Sequence, residues 1–224
     1  MTFGLEPKRV PKIFDQRIAE EVTNAFSESP KNLRNFFAAV ASCSPFLYSQ
    51  ILKEKRWLLD IIEDKNFNIL SLLEHLKLEP FDALYLKLRK AKKRAALWVA
   101  LNDLAGVWSL EAVTKNLSVF AEKAINLSWH ASFRKELNKG KFPTHYHLDP
   151  DGVGFFILAM GKLGAYELNY SSDIDLICFF DEDLYSPEEF QNVRRTFINA
   201  TKNLYRILNE NGKYGYVFRT DLRL

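Results

Sequence analysis

The 224-residue sequence predicts an α+β fold, a helical N-terminal part followed by a small mixed sheet. Three observations predict it. Apolar residues recur at three- and four-residue steps as far as about Leu137, the period of helices with one covered face. Two short unbroken apolar runs, Phe155–Met160 and Leu176–Phe180, then read as buried strands. Between them and the helices lies the segment 138–152, with two glycines, two prolines and mixed polar residues, the composition of a connection. The expected organisation is therefore a helical subdomain over 1–140 and a second domain over 141–224.

Each helix has its own start or stop signal. Asp15 is positioned to cap a helix carrying Ile18, Val22 and Phe26 on one side. Ser29-Pro30 and Ser44-Pro45 each place a capping serine before a proline at the first helical position. The helix after Pro30 carries Leu33, Phe36, Phe37 and Val40, and the one after Pro45 begins with Phe46 and Leu47. Leu70, Leu72 and Leu73 mark a further short helix. From Asp82 a long helix carries Leu84, Leu88, Ala91, Ala95 and Trp98. Gly106 ends it, and Ser109 caps a successor running to about Leu137. In the second half, Ser186-Pro187-Glu188-Glu189 reads as a capping box. Its helix carries the stripe Phe190, Val193, Phe197, Thr201, Leu204 and Leu208. Asn211-Gly212 and Gly215 then turn the chain into a strand over Tyr216–Leu222.

Composition excludes several classes of function. No apolar stretch approaches the ~20 residues of a membrane span, and the N-terminus lacks the apolar core of a signal peptide; a cytoplasmic protein is expected. Cys43 and Cys178 offer neither a disulfide framework nor zinc spacing. A net charge of +3 is too small to argue for nucleic acid. The basic run Lys87, Arg89, Lys90, Lys92, Lys93 and Arg94 lies off the apolar stripe of its helix and reads as a solvated or protein-binding face. His145 and His147 form a His-x-His with no Cys or acidic cluster beside them and read as loop residues. Trp57, Trp98, Trp108 and Trp129 fall in helical segments and read as core.

Chemistry concentrates between the two strands, in Gly161-Lys162-Leu163-Gly164 through Ser171-Ser172-Asp173-Ile174-Asp175-Leu176. Residues i and i+2 of a strand share a face, so Asp173 and Asp175 project together while Ile174 and Leu176 face the core. Two adjacent carboxylates repel each other unless a cation lies between them, and Mg²⁺ held with substrate phosphates is the usual answer. Gly161 and Lys162 stand where a strand passes into a helix, a place where backbone N–H groups and a lysine charge suit phosphate; an ordinary tight turn is the alternative for Gly161. Ser172 either bonds phosphate or shapes the turn. Glu167 reads as structural, on the helix. Arg219, Asp221 and Arg223 alternate onto one face, either an active-site wall or a solvated edge.

Ala159-Met160-Gly161 followed by Asp173-Ile174-Asp175-Leu176 resembles the signature of the DNA polymerase β-like nucleotidyltransferases. Within them, Met160-Gly161-Lys162-Leu163-Gly164 and Glu167-Leu168-Asn169-Tyr170-Ser171-Ser172-Asp173-Ile174-Asp175-Leu176-Ile177 are similar to the bacterial glutamine synthetase adenylyltransferase/adenylyl-removing enzymes. Leu88–Val113 resembles the helical region ahead of that motif, and Phe218–Leu224 the later strand with a third aspartate. The resemblance implies a nucleotidyltransferase core over 141–224. In it Asp173, Asp175 and Asp221 would be the catalytic residues and the ligands of two Mg²⁺ ions, with Gly161, Lys162, Ser172 and Arg223 binding phosphate or nucleotide. It further implies glutamine synthetase as partner, phosphate and ADP or ATP as small substrates, and the nitrogen-signalling PII protein as a regulator, without nucleic acid or membrane.

Members of that family carry two catalytic halves. One removes AMP from a glutamine synthetase tyrosine by phosphorolysis, and the other adds AMP from ATP. The wording Asn169-Tyr170-Ser171-Ser172-Asp173-Ile174-Asp175, with a methionine start ahead of the helical region, resembles the removing half. The chain departs from the pattern at Ala165, where a second glycine is common. It is also several times shorter than family members and stops within the expected last strand, so an incomplete core is expected, with weak or no activity by itself. The rival expectations are ATP-dependent transfer by the same superfamily and a non-catalytic docking fragment.

Overall fold

The computed structural model describes residues 4–77, 79–146, 148–212 and 214–223. The chain divides into two units, each drawn from separate stretches of sequence. One comprises Met1–Leu72 with Lys93–Asn116, and the other Leu73–Lys92 with Leu117–Leu224. The elements among the described residues confirm the α+β class. In order they are α1 (Gln16–Ala25), α2 (Lys31–Cys43), α3 (Pro45–Lys53), α4 (Lys55–Glu63), α5 (Ser71–Glu74), α6 (Phe81–Leu104), α7 (Leu110–Leu137), β1 (Phe155–Met160), α8 (Gly161–Gly164), β2 (Ile174–Phe180), α9 (Phe190–Asn209) and β3 (Thr220–Arg223). No helix among them is long and apolar enough to cross a membrane.

The first unit is built from caps and aromatic packing. Asp15 accepts the Ile18 N–H at 3.1 Å, and Ser44 accepts the Leu47 N–H at 3.3 Å, so two of the expected starts hold. The third differs by one residue. Pro30 is itself the cap residue, with ψ 141°, and α2 begins at Lys31 without a side-chain cap. Helix α2 is buried nearly all round, from Leu33 through Phe36, Phe37 and Val40 to Ser42. Phe37 meets Phe26 at 5.0 Å and Phe36 at 5.9 Å between ring centres, and Phe67 stands edge-on to both Trp57 and Trp98. Gly106 terminates α6 at φ +67°, a conformation other residues enter at a cost. Arg9 closes that terminus by donating to the carbonyls of Leu104 and Asp103. Ser109 caps α7 through the Ala112 N–H. Trp108 lies in the α6–α7 connection and not in a helix, because Gly106 has already broken the period.

In the second unit the strands form one sheet in the order β1-β2-β3, β1 antiparallel to β2 and β3 parallel to β2. Its covered face packs on aromatic side chains: Phe155 stacks on Trp129 with ring centres 3.8 Å apart, and Phe197 lies against Phe155, Phe133, Phe142 and Phe180. The other face shows Phe156, Leu158, Met160 and Phe179, all more than two-fifths exposed. The apolar runs therefore alternate, where the sequence predicts strands buried on both sides. Helix α9 buries Val193, Phe197, Thr201, Leu204 and Leu208 as expected, with Phe190 only half-buried. It starts three residues later than a capping box would set it. The Ser186 hydroxyl bonds the Glu189 carboxylate at 2.9 Å, and the Ser186 N–H donates to the Tyr146 hydroxyl, so the serine side chain caps no backbone N–H and only its carbonyl accepts from Phe190. The last strand is shorter than expected: Tyr216–Arg219 are loop, and β3 spans Thr220–Arg223.

The basic run is not a uniformly solvated face. Arg89 is 1% exposed. Its guanidinium lies over the Tyr85 ring and donates to the carbonyls of Tyr85, Glu210 and Gly215, three backbone acceptors it satisfies inside the second unit. Lys92 is half-buried with its ammonium 4.3 Å from the Phe218 ring centre. Lys87 pairs with Glu79 and Arg94 with Glu54. His145 lies 3.3 Å from Glu189, on a loop as expected; His147 falls outside the described residues.

Candidate active site

Strand register builds the site. Parallel pairing of β2 with β3 sets Ile174 beside Thr220 and Asp175 beside Asp221. In-register neighbours on paired strands project to the same face, so Asp175 and Asp221 stand side by side on the open face, both exposed. The buried face behind them is Ile174, Leu176 and Cys178, as the alternation predicts. Burial pushes the Cys178 thiol up to about 11, which leaves it protonated and unreactive at neutral pH.

Asp173 precedes β2 instead of opening it, yet the pairing continues past the strand. The Ile174 N–H donates to the Arg219 carbonyl at 2.9 Å, which brings Arg219 alongside Asp173. Arg219 Nε lies 2.5 Å from Asp173 Oδ1, and its Nη2 donates to the Ser171 carbonyl at 2.7 Å. Arg223 reaches Asp221 at 3.6 Å. Two of the three carboxylates are thus met by arginines, Asp173 by Arg219 just before β3 and Asp221 by Arg223 of its own strand. The sequence alone leaves Arg219 open between an active-site wall and a solvated edge. The signal that would have found it is the match of Asp173-x-Asp175 with Arg219-x-Asp221 once the strands are set parallel.

Gly161 approaches from β1. It has φ +57°, and a Cβ there would lie 3.3 Å from Asp175 Oδ2, so a carboxylate and a left-handed backbone both favour glycine. At Gly164 a Cβ would sit 2.5 Å from the Ala159 carbonyl oxygen, which holds the single turn α8 tight against β1. That turn ends at Gly164, so Glu167 is not helical; it follows Tyr166, itself at φ +57°, and is exposed. Ser172 shapes the turn in this structure: its hydroxyl donates to Asn169 Oδ1 at 2.8 Å, while the same oxygen takes the Ser171 N–H at 3.1 Å. Asn169 enters the sequence pattern only through the family resemblance, although an Asn two residues before a serine is a standard turn former.

Gly161, Lys162, Asn169, Ser171, Ser172, Asp173, Asp175 and Arg219 line one open recess of about 490 Å³. Met160, Ile177, Asp221 and Arg223 line an adjoining one of about 330 Å³, which also touches Asp175. All seven residues expected at the site therefore lie at one end of the sheet. The donor set suits a hard divalent cation, being carboxylate oxygens on one face. Among the described residues no three His, Cys, Asp or Glu side chains are drawn together tightly enough to hold a metal. Asp173 is instead engaged by Arg219. The residues fit in type and register, with one carboxylate committed to an arginine.

Residues 34–224 match the family model described as glutamate-ammonia ligase adenylyltransferase. The chain belongs to that family. A relative from Bradyrhizobium sp. (strain BTAi1 / ATCC BAA-1182), named bifunctional glutamine synthetase adenylyltransferase/adenylyl-removing enzyme, is 36% identical over 198 residues, covering 85% of this chain and 20% of the relative. One of the same name from Bradyrhizobium sp. (strain ORS 278) is 34% identical over 233 residues, covering 96% of this chain and 24% of the relative. Another from Mesorhizobium japonicum is 35% identical over 201 residues. The chain spans a fifth to a quarter of the length of these curated relatives. Every residue of the site described above falls within the span that matches the adenylyltransferase family.

Proposed function

We propose that this chain carries the adenylyl-removing half-reaction of its family: Mg²⁺-dependent phosphorolysis of AMP esterified to a glutamine synthetase tyrosine. In this reading residues 141–224 are the nucleotidyltransferase core and 1–140 its helical companion. Inorganic phosphate attacks the α-phosphorus, a new P–O bond forms, and the bond to the tyrosine oxygen breaks. The products are ADP and unmodified tyrosine. The observation that carries the reading is the in-register pair Asp175–Asp221 with Asp173 and Asp175 lining the open recess beside Gly161 and Lys162.

Asp173, Asp175 and Asp221 would hold Mg²⁺, which supplies Lewis-acid stabilisation of charge on the phosphoryl and leaving oxygens. The chain's own part is positioning. Gly161 lets the backbone come close to phosphate, and Lys162 and Arg223 add positive charge on either side of the carboxylates. The leaving phenol, with a pKa near ~10, departs as phenolate more readily than an alkoxide would. Little acid–base chemistry is needed, and no residue of the site is asked to act as a base.

The test gives a longer chain containing this region adenylylated glutamine synthetase, phosphate and Mg²⁺, with ADP release as the readout. Asp175→Asn should reduce release by on the order of a thousandfold, the scale on which transition-state charge stabilisation acts, while melting with the parent. The competing arm offers ATP and unmodified glutamine synthetase. AMP transfer there without phosphate-dependent ADP release would reassign the chain to the adding reaction. Binding of glutamine synthetase with neither turnover would make it a docking module. The fine wording Asn169-Tyr170-Ser171 favours removal over addition. Residence in the cytoplasm and regulation by PII belong to the same proposal.

A further inference from the structure

The cation touching Asp173 in this structure is a side chain of the protein. Arg219 reaches it from the residue just before β3, through a backbone bond that continues the parallel pairing. The guanidinium is about half exposed, as is its carboxylate partner, so the contact is a surface ion pair and cheap to break. Its other anchor, the Ser171 carbonyl, is neutral and belongs to the turn shaped by Asn169 and Ser172. Arg219 also lines the same recess as Gly161 and Lys162, where no other arginine lies. A guanidinium is a fork of donors suited to phosphate oxygens, whereas Asp173 occupies only one edge of it.

We propose that Arg219 is an exchangeable counter-cation: it holds Asp173 until a divalent cation takes the carboxylate, and the released guanidinium then binds phosphate in the recess. This rests on the metal-dependent reading above. Two consequences of opposite sign follow. Arg219 competes with the metal for Asp173 and repels it through space. It also adds to the affinity for phosphate once the metal is bound. A residue that merely held Asp173 in place would raise metal affinity, so the sign of the metal effect distinguishes the roles.

The experiment measures Mn²⁺ binding to the 224-residue chain by calorimetry or electron paramagnetic resonance, then inorganic phosphate binding at saturating Mn²⁺. Arg219→Gln should bind Mn²⁺ roughly three- to tenfold more tightly, the scale of an exposed ion pair and one repelling charge. The same variant should bind phosphate about tenfold more weakly. Asp173→Asn is the reference and should weaken Mn²⁺ binding. If it does so while Arg219→Gln leaves Mn²⁺ affinity unchanged or lowers it, the exchange is wrong and Arg219 only positions Asp173. Phosphate affinity that does not fall in Arg219→Gln also overturns the proposal. If Asp173→Asn leaves Mn²⁺ binding intact, the metal reading itself fails, which separates the two failures.

Discussion

Helix α2 and strand β2 are both largely apolar in sequence, yet they are covered differently. Along α2 every residue from Phe36 to Ser42 is buried, and its two phenylalanines are fully inaccessible. Along β2 the covering alternates, with Ile174, Leu176 and Cys178 inside and Asp175 and Phe179 outside. A helix covered all round contributes packing and leaves no room for chemistry. A strand covered on one face holds its backbone rigidly by hydrogen bonds while presenting every second side chain to ligands. The site is on the second kind of element because carboxylates there keep their solvation and still have fixed spacing.

The largest effect expected from breaking this contrast is at Phe37. Phe37→Ala should destabilise the first unit by about 3–5 kcal/mol, the cost of an aromatic-sized cavity. Urea titration followed by tryptophan fluorescence would measure it. A loss under about 1 kcal/mol would mean that α2 is not the packing element described. Arg89 comes next, because it joins α6 to the segment leading into β3. Arg89→Met takes the guanidinium from the Glu210 carbonyl and leaves the Gly215 carbonyl only the Gly212 N–H, at a cost of about 1–3 kcal/mol. Hydrogen exchange should rise first in 210–219, and exchange confined to other segments would contradict the anchoring.

Gly161→Ala sharpens the comparison at the strand end. A left-handed alanine costs about 1–2 kcal/mol, and its Cβ would press on Asp175. Stability should fall by that amount, and Mn²⁺ affinity should fall with it; a variant that binds Mn²⁺ like the parent would show that the glycine serves only the turn. Lys92 gives little pH dependence at neutral pH, where folded and unfolded chains both hold its proton. Burial lowers its pKa to about 8, below the ~10.4 of an unfolded lysine. Between these values the unfolded chain holds a proton that the folded one has released, so stability should rise as pH increases from 8 toward 10.4. The rise should shrink in Lys92→Met. Identical pH profiles for the two proteins would remove the buried-ammonium description.

Local signals were read where their physics is local. Asp15, Ser44, Gly106 and Ser109 act on backbone groups within four residues, so their positions alone located three helix starts and one end. Failures occur where a distant group competes. Ser186 would have capped α9, but Glu189 and Tyr146 take its hydroxyl and N–H. Arg89 sits among lysines on the helix, and its burial depends on the distant carbonyls at 210 and 215 as well as on Tyr85 one turn away. Tyr216–Arg219 have the composition of a strand, yet β3 begins at Thr220 because Val217 and Phe218 give their N–H groups to Leu208.

By itself the sequence determined the α+β class, the alternation that turns Asp173 and Asp175 away from the core, and the family resemblance borne out by the match over residues 34–224. The tertiary structure decided which groups meet those carboxylates. Period-two alternation is a property of one strand and needs no partner to be legible. The pairing of Asp175 with Asp221, and of Asp173 with Arg219, depends on the parallel register of segments 46 residues apart. That register is chosen by how Ile174, Leu176, Thr220 and Leu222 fit the covered face, and such packing is a property of the folded chain alone.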